Sequence, residues 1–425
     1  MKKFTVIGLS VGLAMLAEAQ GPLSPPGPPD ATMRSLDELE TRIPIDSVPI
    51  TIDQPGSYYL TGNLDADSDS GIQITASGVS IDMMGFTLSG SGTYGIEVLG
   101  PNGSYLSHAI IRNGQINGFG SALRLNRCVG ALVERMHLRG AGNYGLIISA
   151  TGASGSVSEG NIIRDCMIVD NLTRGLAVRA GSGGSVANGN RIERSVIANN
   201  LGTGIEISAA NNAEVRNNVI YNCTVTGNGF GVSSWYAIDL FGSGLIEGNR
   251  IESSTITDNA SRGIYLRPSG GGSALNNTFR RNTIHNHSNA GMLIGLSISE
   301  STIRNTLVEG NVISWNALNG GLRFSDGADL WVEDMHVRDN VFADNAAAST
   351  SPQVQISGSR GTVSGNHVSG DTNSGLEMNS TQAVLVSGNS VFGGAFTTSS
   401  SDTYGPVVTA LPVPNNFMAN FRLDD

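Results

Sequence analysis

The chain has 425 residues and a net charge of −11, and only 14% of its positions are charged. So acidic a surface argues against nucleic acid as a partner, because binding to phosphates needs a basic footprint. The only lysines are Lys2 and Lys3, so loss of an N-terminal leader would exclude Schiff-base chemistry.

In chain order, residues 1–19 join a basic start, Met1-Lys2-Lys3, to an apolar run from Phe4 to Leu16 and an Ala17-Glu18-Ala19 end. This pattern predicts a secretory signal peptide cleaved after Ala19. The apolar run is shorter than the roughly 20 residues a bilayer span requires, and no later stretch approaches that length. The expectation is a secreted or periplasmic protein with no membrane span. Residues 20–31 form a Pro-rich linker. Residues 32–49 predict an N-terminal cap: Met33, Leu36, Leu39 and Ile43 recur at helical spacing, with Asp30 or Thr32 able to cap the start. A short helix there would cover the open end of a solenoid. At the other end, residues 397–425 lose the internal repeat and carry Pro406, Pro412 and Pro414, which predicts a C-terminal cap or tail.

Residues 50–396 are repetitive. A column of Gly114, Met136, Cys166, Ser195, Cys223, Ser254, Asn282, Asn311, Asn340, Asn366 and Asn389 recurs in steps of 22 to 31 residues. Three positions earlier stands an apolar residue such as Ile163, Ile192 or Ile220, and two positions later another, such as Ile168, Ile197 or Val225. The odd spacing followed by the even one requires a bend between two short strands. A second column, containing Asn171, Asn200, Asn228, Asn259, His287, Asn316, Asn345 and Asp371, marks another bend, and asparagine suits bends because it tolerates left-handed backbone. A third strand of the form Gly-apolar-x-apolar follows, as in GIEI over 204–207 and GIYL over 263–266. Three short strands per repeat define an all-β parallel β-helix of about twelve coils. This pattern resembles the right-handed β-helix proteins of the pectin-lyase-like superfamily, a resemblance that implies the handedness.

Several conspicuous residues read as structural. Cys166 and Cys223 share a column two coils apart, about 9.6 Å by strand spacing, too far for a disulfide, so they belong to the core. Arg112, Glu134, Arg164, Glu193, Tyr221, Glu252, Arg280, Glu309 and Arg338 form one outward stripe in which charges mostly alternate. His287 substitutes for asparagine in a bend column.

The catalytic motifs of the superfamily are missing from the repeats. The Asn-Thr-Asp, Asp-Asp, Gly-His-Gly and Arg-Ile-Lys elements of the pectin-hydrolysing members, and the Asp-Pro-His of the uronan epimerases, do not occur in residues 50–396. What remains is the outward face of the third strand, where Glu206, Asp239 and Tyr265 follow one another on consecutive coils, with Ala177 on the coil before. Arg179, Ser208, Phe241 and Arg267 stand at the next outward position. Two adjacent carboxylates need a cation, a shared proton or flanking guanidinium groups. The candidate catalytic residues are therefore Glu206, Asp239, Tyr265 and Arg267, with Glu206 and Asp239 also candidate Ca²⁺ ligands. Arg179, Arg267 and the aromatics Trp235 and Tyr236, expected at the rim, are candidate substrate-binding residues. The functional expectation is an exported monomer or homotrimer that binds extracellular polysaccharide as a non-catalytic or structural module. The alternatives are a lyase or glycoside hydrolase acting on an acidic polysaccharide, and a periplasmic accessory protein.

Overall fold

The computed structural model describes residues 41–67, 69–181, 183–231, 235–295, 301–325, 330–346, 351–370, 374–392, 394–398, 407–409 and 420–422. The chain divides into two compact units, Met1–Arg42 and Ile43–Asp425, and all described strands lie in the second. That unit is a parallel β-solenoid of about ten regular turns, with no α-helix among the described residues. The expected signal peptide, the expected linker and most of the expected capping helix lie outside the described residues. Ile43, the last residue of that helical pattern, is instead in the strand Ile43–Ile45, which pairs with Gly56–Leu60. Strand pairing therefore begins before the expected start at residue 50.

Each regular turn contributes four short strands, not the three expected from the sequence, and each pairs in parallel with its counterpart one turn away. The additional strand follows the third, as Glu214–Arg216, which pairs with Val186–Asn188. Arg191–Glu193 pairs with Val219–Tyr221, Val196–Ala198 with Thr224–Thr226, and Ile205–Ala209 with Ile238–Gly242. Ile192, Ile197 and Ile207 point inward and are at most 1% exposed. Burying each such side chain contributes about 1.5–3 kcal/mol. The only antiparallel pair among the described residues, Val407–Thr409 with Asn420–Arg422, lies beyond the repeat.

The bends work differently from the sequence expectation. The left-handed residue is the one before each column, and its chemistry is mixed: Asp165, Arg194, Asn222 and Ser253 at one corner, Asp170, Asn199, Asp258, Asn286, Trp315 and Asp344 at the next, all with φ between 47° and 56°. The column residue itself points into the core. There the Asn200 amide Nδ2 donates to Asn228 Oδ1 at 2.8 Å and to the Ile168 carbonyl at 3.1 Å, while its backbone N–H donates to the same Asn228 Oδ1. Asparagine is selected because its oxygen can accept from the turn above while its nitrogen satisfies a bend carbonyl, which keeps buried polar groups paired. A third such ladder, Asn161, Asn190, Asn218, Asn249 and Asn277, occupies a further corner. Its turn residues are Gly160, Gly189, Asn217, Gly248 and Asn276. The ladders also explain the glycine that opens most of the third strands: a Cβ on Gly175 would lie 2.7 Å from Asn200 Nδ2 and 2.6 Å from Ile197 Cγ2.

His287 fits its ladder. Its Nδ1 accepts the Asn259 backbone N–H at 3.3 Å and its Nε2 faces the Ile256 carbonyl at 3.1 Å. Cys128, Cys166 and Cys223 are buried free thiols, and burial pushes the first two up to about 12 and Cys223 to about 11. The outward charge stripe is in register, with Arg164 Nη2 2.6 Å from Glu134 and Arg338 Nε 2.8 Å from Glu309.

Candidate functional site

The outer face of the third strand carries three columns of side chains. The strand register puts Ala177, Glu206, Asp239, Tyr265, Leu293 and Arg323 in line along the stack. Two residues further on, Arg179, Ser208, Phe241 and Arg267 form a second line. The residue just before the strand's glycine or alanine forms a third, containing Tyr144, Arg174, Tyr236 and Arg262. Here side chains point away from the hydrophobic core, yet many are covered. Ala177 is fully buried in a small cluster with Tyr144 and Ile147, and Tyr236, Tyr265 and Leu293 form another.

Between these clusters, Glu206 and Asp239 are adjacent in register and are 2% and 3% exposed. Arg174 Nε lies 2.6 Å from Glu206 Oε2, and Arg179 Nε 3.2 Å from Oε1. The Arg174 N–H is not aligned along its contact, so this is an ion pair by proximity and not a directed hydrogen bond. Ser208 Oγ donates to Glu206 Oε1 at 3.0 Å. Asp239 receives both arms of Arg267, Nε to Oδ1 at 2.9 Å and Nη2 to Oδ2 at 2.6 Å. Burial pushes the Asp239 carboxyl above its ordinary range, with Arg267 pulling the other way. Burial disfavours the charge on Arg267, but its bond to Asp239 outweighs this and holds the guanidinium above its usual value. The Tyr265 hydroxyl is also raised by burial.

Aromatic rings line the guanidinium groups. Arg267 sits 4.6 Å from the Phe241 centroid and 5.2 Å from that of Tyr265, and Arg174 sits 4.8 Å from that of Trp235. Of the two aromatics expected at the rim, Trp235 is half-buried and Tyr236 is buried, because the Tyr236 ring packs edge-on to Tyr265 at 5.0 Å. Arg262 lies over both tyrosines, 4.7 Å from the Tyr265 centroid and 5.4 Å from that of Tyr236. Its Nε is buried without a hydrogen-bond partner, and no carboxylate pairs with it among the described residues.

The two carboxylates do not fit Ca²⁺. That ion takes about six to eight oxygen ligands, whereas every oxygen of Glu206 and Asp239 faces a guanidinium nitrogen. Among the described residues no group of three or more His, Cys, Asp or Glu side chains could hold a metal.

The residues missing from the sequence-derived set are Arg174 and Arg262. Both precede the glycine of the third-strand motif, at Gly175 and Gly263, so a column was there to be read. Its mixture of Tyr, Arg and Thr concealed it.

The chain belongs to the right-handed beta helix region family, whose model matches residues 56–237, 183–307 and 236–408. In fold it is similar to the A-module of the Azotobacter vinelandii mannuronan C-5 epimerase AlgE4, with a TM-score of 0.55 at 16% identity, covering 84% of this chain and 91% of that one. The AlgE6 A-module from the same organism gives a TM-score of 0.50 at 16% identity, covering 84% of this chain and 92% of that one. No curated protein matches the chain. No helix among the described residues is long and apolar enough to cross a membrane.

Proposed function

We propose that this is an exported β-helix protein that binds an extracellular polysaccharide along the outer face of its third strand, without transforming it. One observation carries the reading: Arg174, Arg179 and Arg267 pair with two carboxylates while Arg262 lies over Tyr265, leaving a locally cationic, aromatic-lined patch on a chain of net charge −11. Guanidinium groups suit sugar carboxylates, which they can hold at two points, so an acidic chain is favoured over a neutral one. Burial and ion pairing of Glu206 and Asp239 count against acid–base work, which requires a group within reach of the substrate.

The enzymatic alternative, a lyase or glycoside hydrolase, has one observation in its favour: the raised Asp239 carboxyl, beside Arg267 and next in register to Tyr265. The test is incubation of the purified protein with acidic and neutral polysaccharides, following gel retardation, unsaturated ends and reducing ends. Binding alone gives retardation by an acidic polymer with no new ends. New ends that disappear in the Asp239→Asn variant would replace this reading with the enzymatic one.

A further inference from the structure

A second polar station lies on the same face, several coils before Glu206. Tyr94, Arg124, Tyr144, Ser149, Thr151 and Arg179 line a depression of about 170 Å³. Arg124 is fixed there in one orientation: its Nη1 donates to Tyr94 Oη at 2.5 Å and lies 3.3 Å from Glu97 Oε1, and its Nη2 donates to Thr151 Oγ1 at 3.1 Å. A guanidinium group held by that many partners loses little freedom on meeting a ligand. Arg179 joins the two stations, with Nη1 on Tyr144 Oη at 2.7 Å and Nε 3.2 Å from Glu206.

The register orders the face as Arg124, Ile147, Ala177, Glu206, Asp239 and Tyr265 on successive coils. At about 4.8 Å per coil, the span from Arg124 to Tyr265 is roughly 24 Å. An extended chain of linked pyranoses advances by about one coil spacing per sugar. From this match we infer that the depression between Arg124 and Arg179 is a distal subsite for one acidic sugar of a chain lying parallel to the stack, so that full recognition needs about six sugars. The inference rests on the polysaccharide reading above and adds to it a place, an orientation and a length. Tyr144 and Ile147, which pack on Ala177, also line the depression and give it an apolar wall.

Calorimetric titration of the full chain with oligogalacturonates and oligomannuronates of three and seven residues tests it, using the wild type and an Arg124→Gln/Glu97→Gln double variant. Neutralising both partners together avoids leaving the buried Glu97 carboxylate without its cation. The wild type should bind the heptasaccharide at least about ten-fold more tightly than the trisaccharide. The double variant should lose that advantage, keeping only trisaccharide-level affinity. Equal heptasaccharide affinity in the two proteins would overturn the distal subsite while leaving the central one standing. Absence of binding to either oligosaccharide by the wild type would overturn both.

Discussion

Arg267 reaches back one coil to grip Asp239 at two points, Nε on Oδ1 at 2.9 Å and Nη2 on Oδ2 at 2.6 Å. Asp239 is 3% exposed, so its charge depends on that partner. Arg267→Met should therefore destabilise the protein by about 3 kcal/mol, the usual cost of stranding a buried charge. The double variant Arg267→Met/Asp239→Asn should recover much of the loss, since no charge is left unpaired. Urea unfolding of the two variants measures the difference, and equal losses would mean that the pair is not coupled.

His287 makes stability pH-dependent. Burial pulls its imidazole down to about 4 from the ordinary 6.5, and its Nδ1 is occupied as an acceptor by the Asn259 N–H. As pH falls below 6.5, the unfolded chain takes up a proton that the folded ladder refuses, so stability declines until about pH 4. The full loss is about 3 kcal/mol from this one group. His287→Asn restores the ladder's usual residue and should flatten that part of the curve. The melting temperatures of wild type and variant should diverge between pH 6.5 and 4, and parallel curves would contradict the account.

Facing and burial are separable on this fold. Ile197→Asp puts an unpaired charge into the central core and should abolish folding or cost several kcal/mol. Strand alternation alone assigns Ala177 to the outside and suggests that Asp would be tolerated there. The structure covers Ala177 with Tyr144 and Ile147, so Ala177→Asp should also destabilise, though less than Ile197→Asp, because Arg179 stands two residues along the same side. Yields of soluble protein and urea midpoints for the two variants check the order.

That contrast marks what the sequence could yield. The core columns were legible because Ile163, Ile192 and Ile220 recur at fixed offsets from a polar residue, and those offsets can be met only by stacked short strands. The line of Glu206, Asp239 and Tyr265 followed from the same register. Two things stayed hidden. The left-handed corners are filled by residues as different as Arg194, Asn222 and Trp315, so no residue type announces them, and the inward asparagines beside them drew the assignment. The roof over the outer face is also invisible to alternation, since it depends on how far Tyr144, Arg174 and Tyr236 reach across neighbouring coils.

Arg262 offers the most direct test of the central claim. Its guanidinium lies over Tyr236 and Tyr265 with no carboxylate partner among the described residues, so its charge is available to an acidic ligand. Replacing it strands no carboxylate identified among those residues. The measurement is affinity electrophoresis of the wild type and Arg262→Gln through gels cast with polygalacturonate, with alginate, or with a neutral glucan. Binding on this face predicts that the wild type is held back in at least one acidic gel and not in the neutral one. It also predicts that Arg262→Gln, with its stability within about 1 kcal/mol of wild type, is held back several-fold less in that same gel. Equal retardation of the two proteins in every acidic gel, or none of the wild type, would contradict the account.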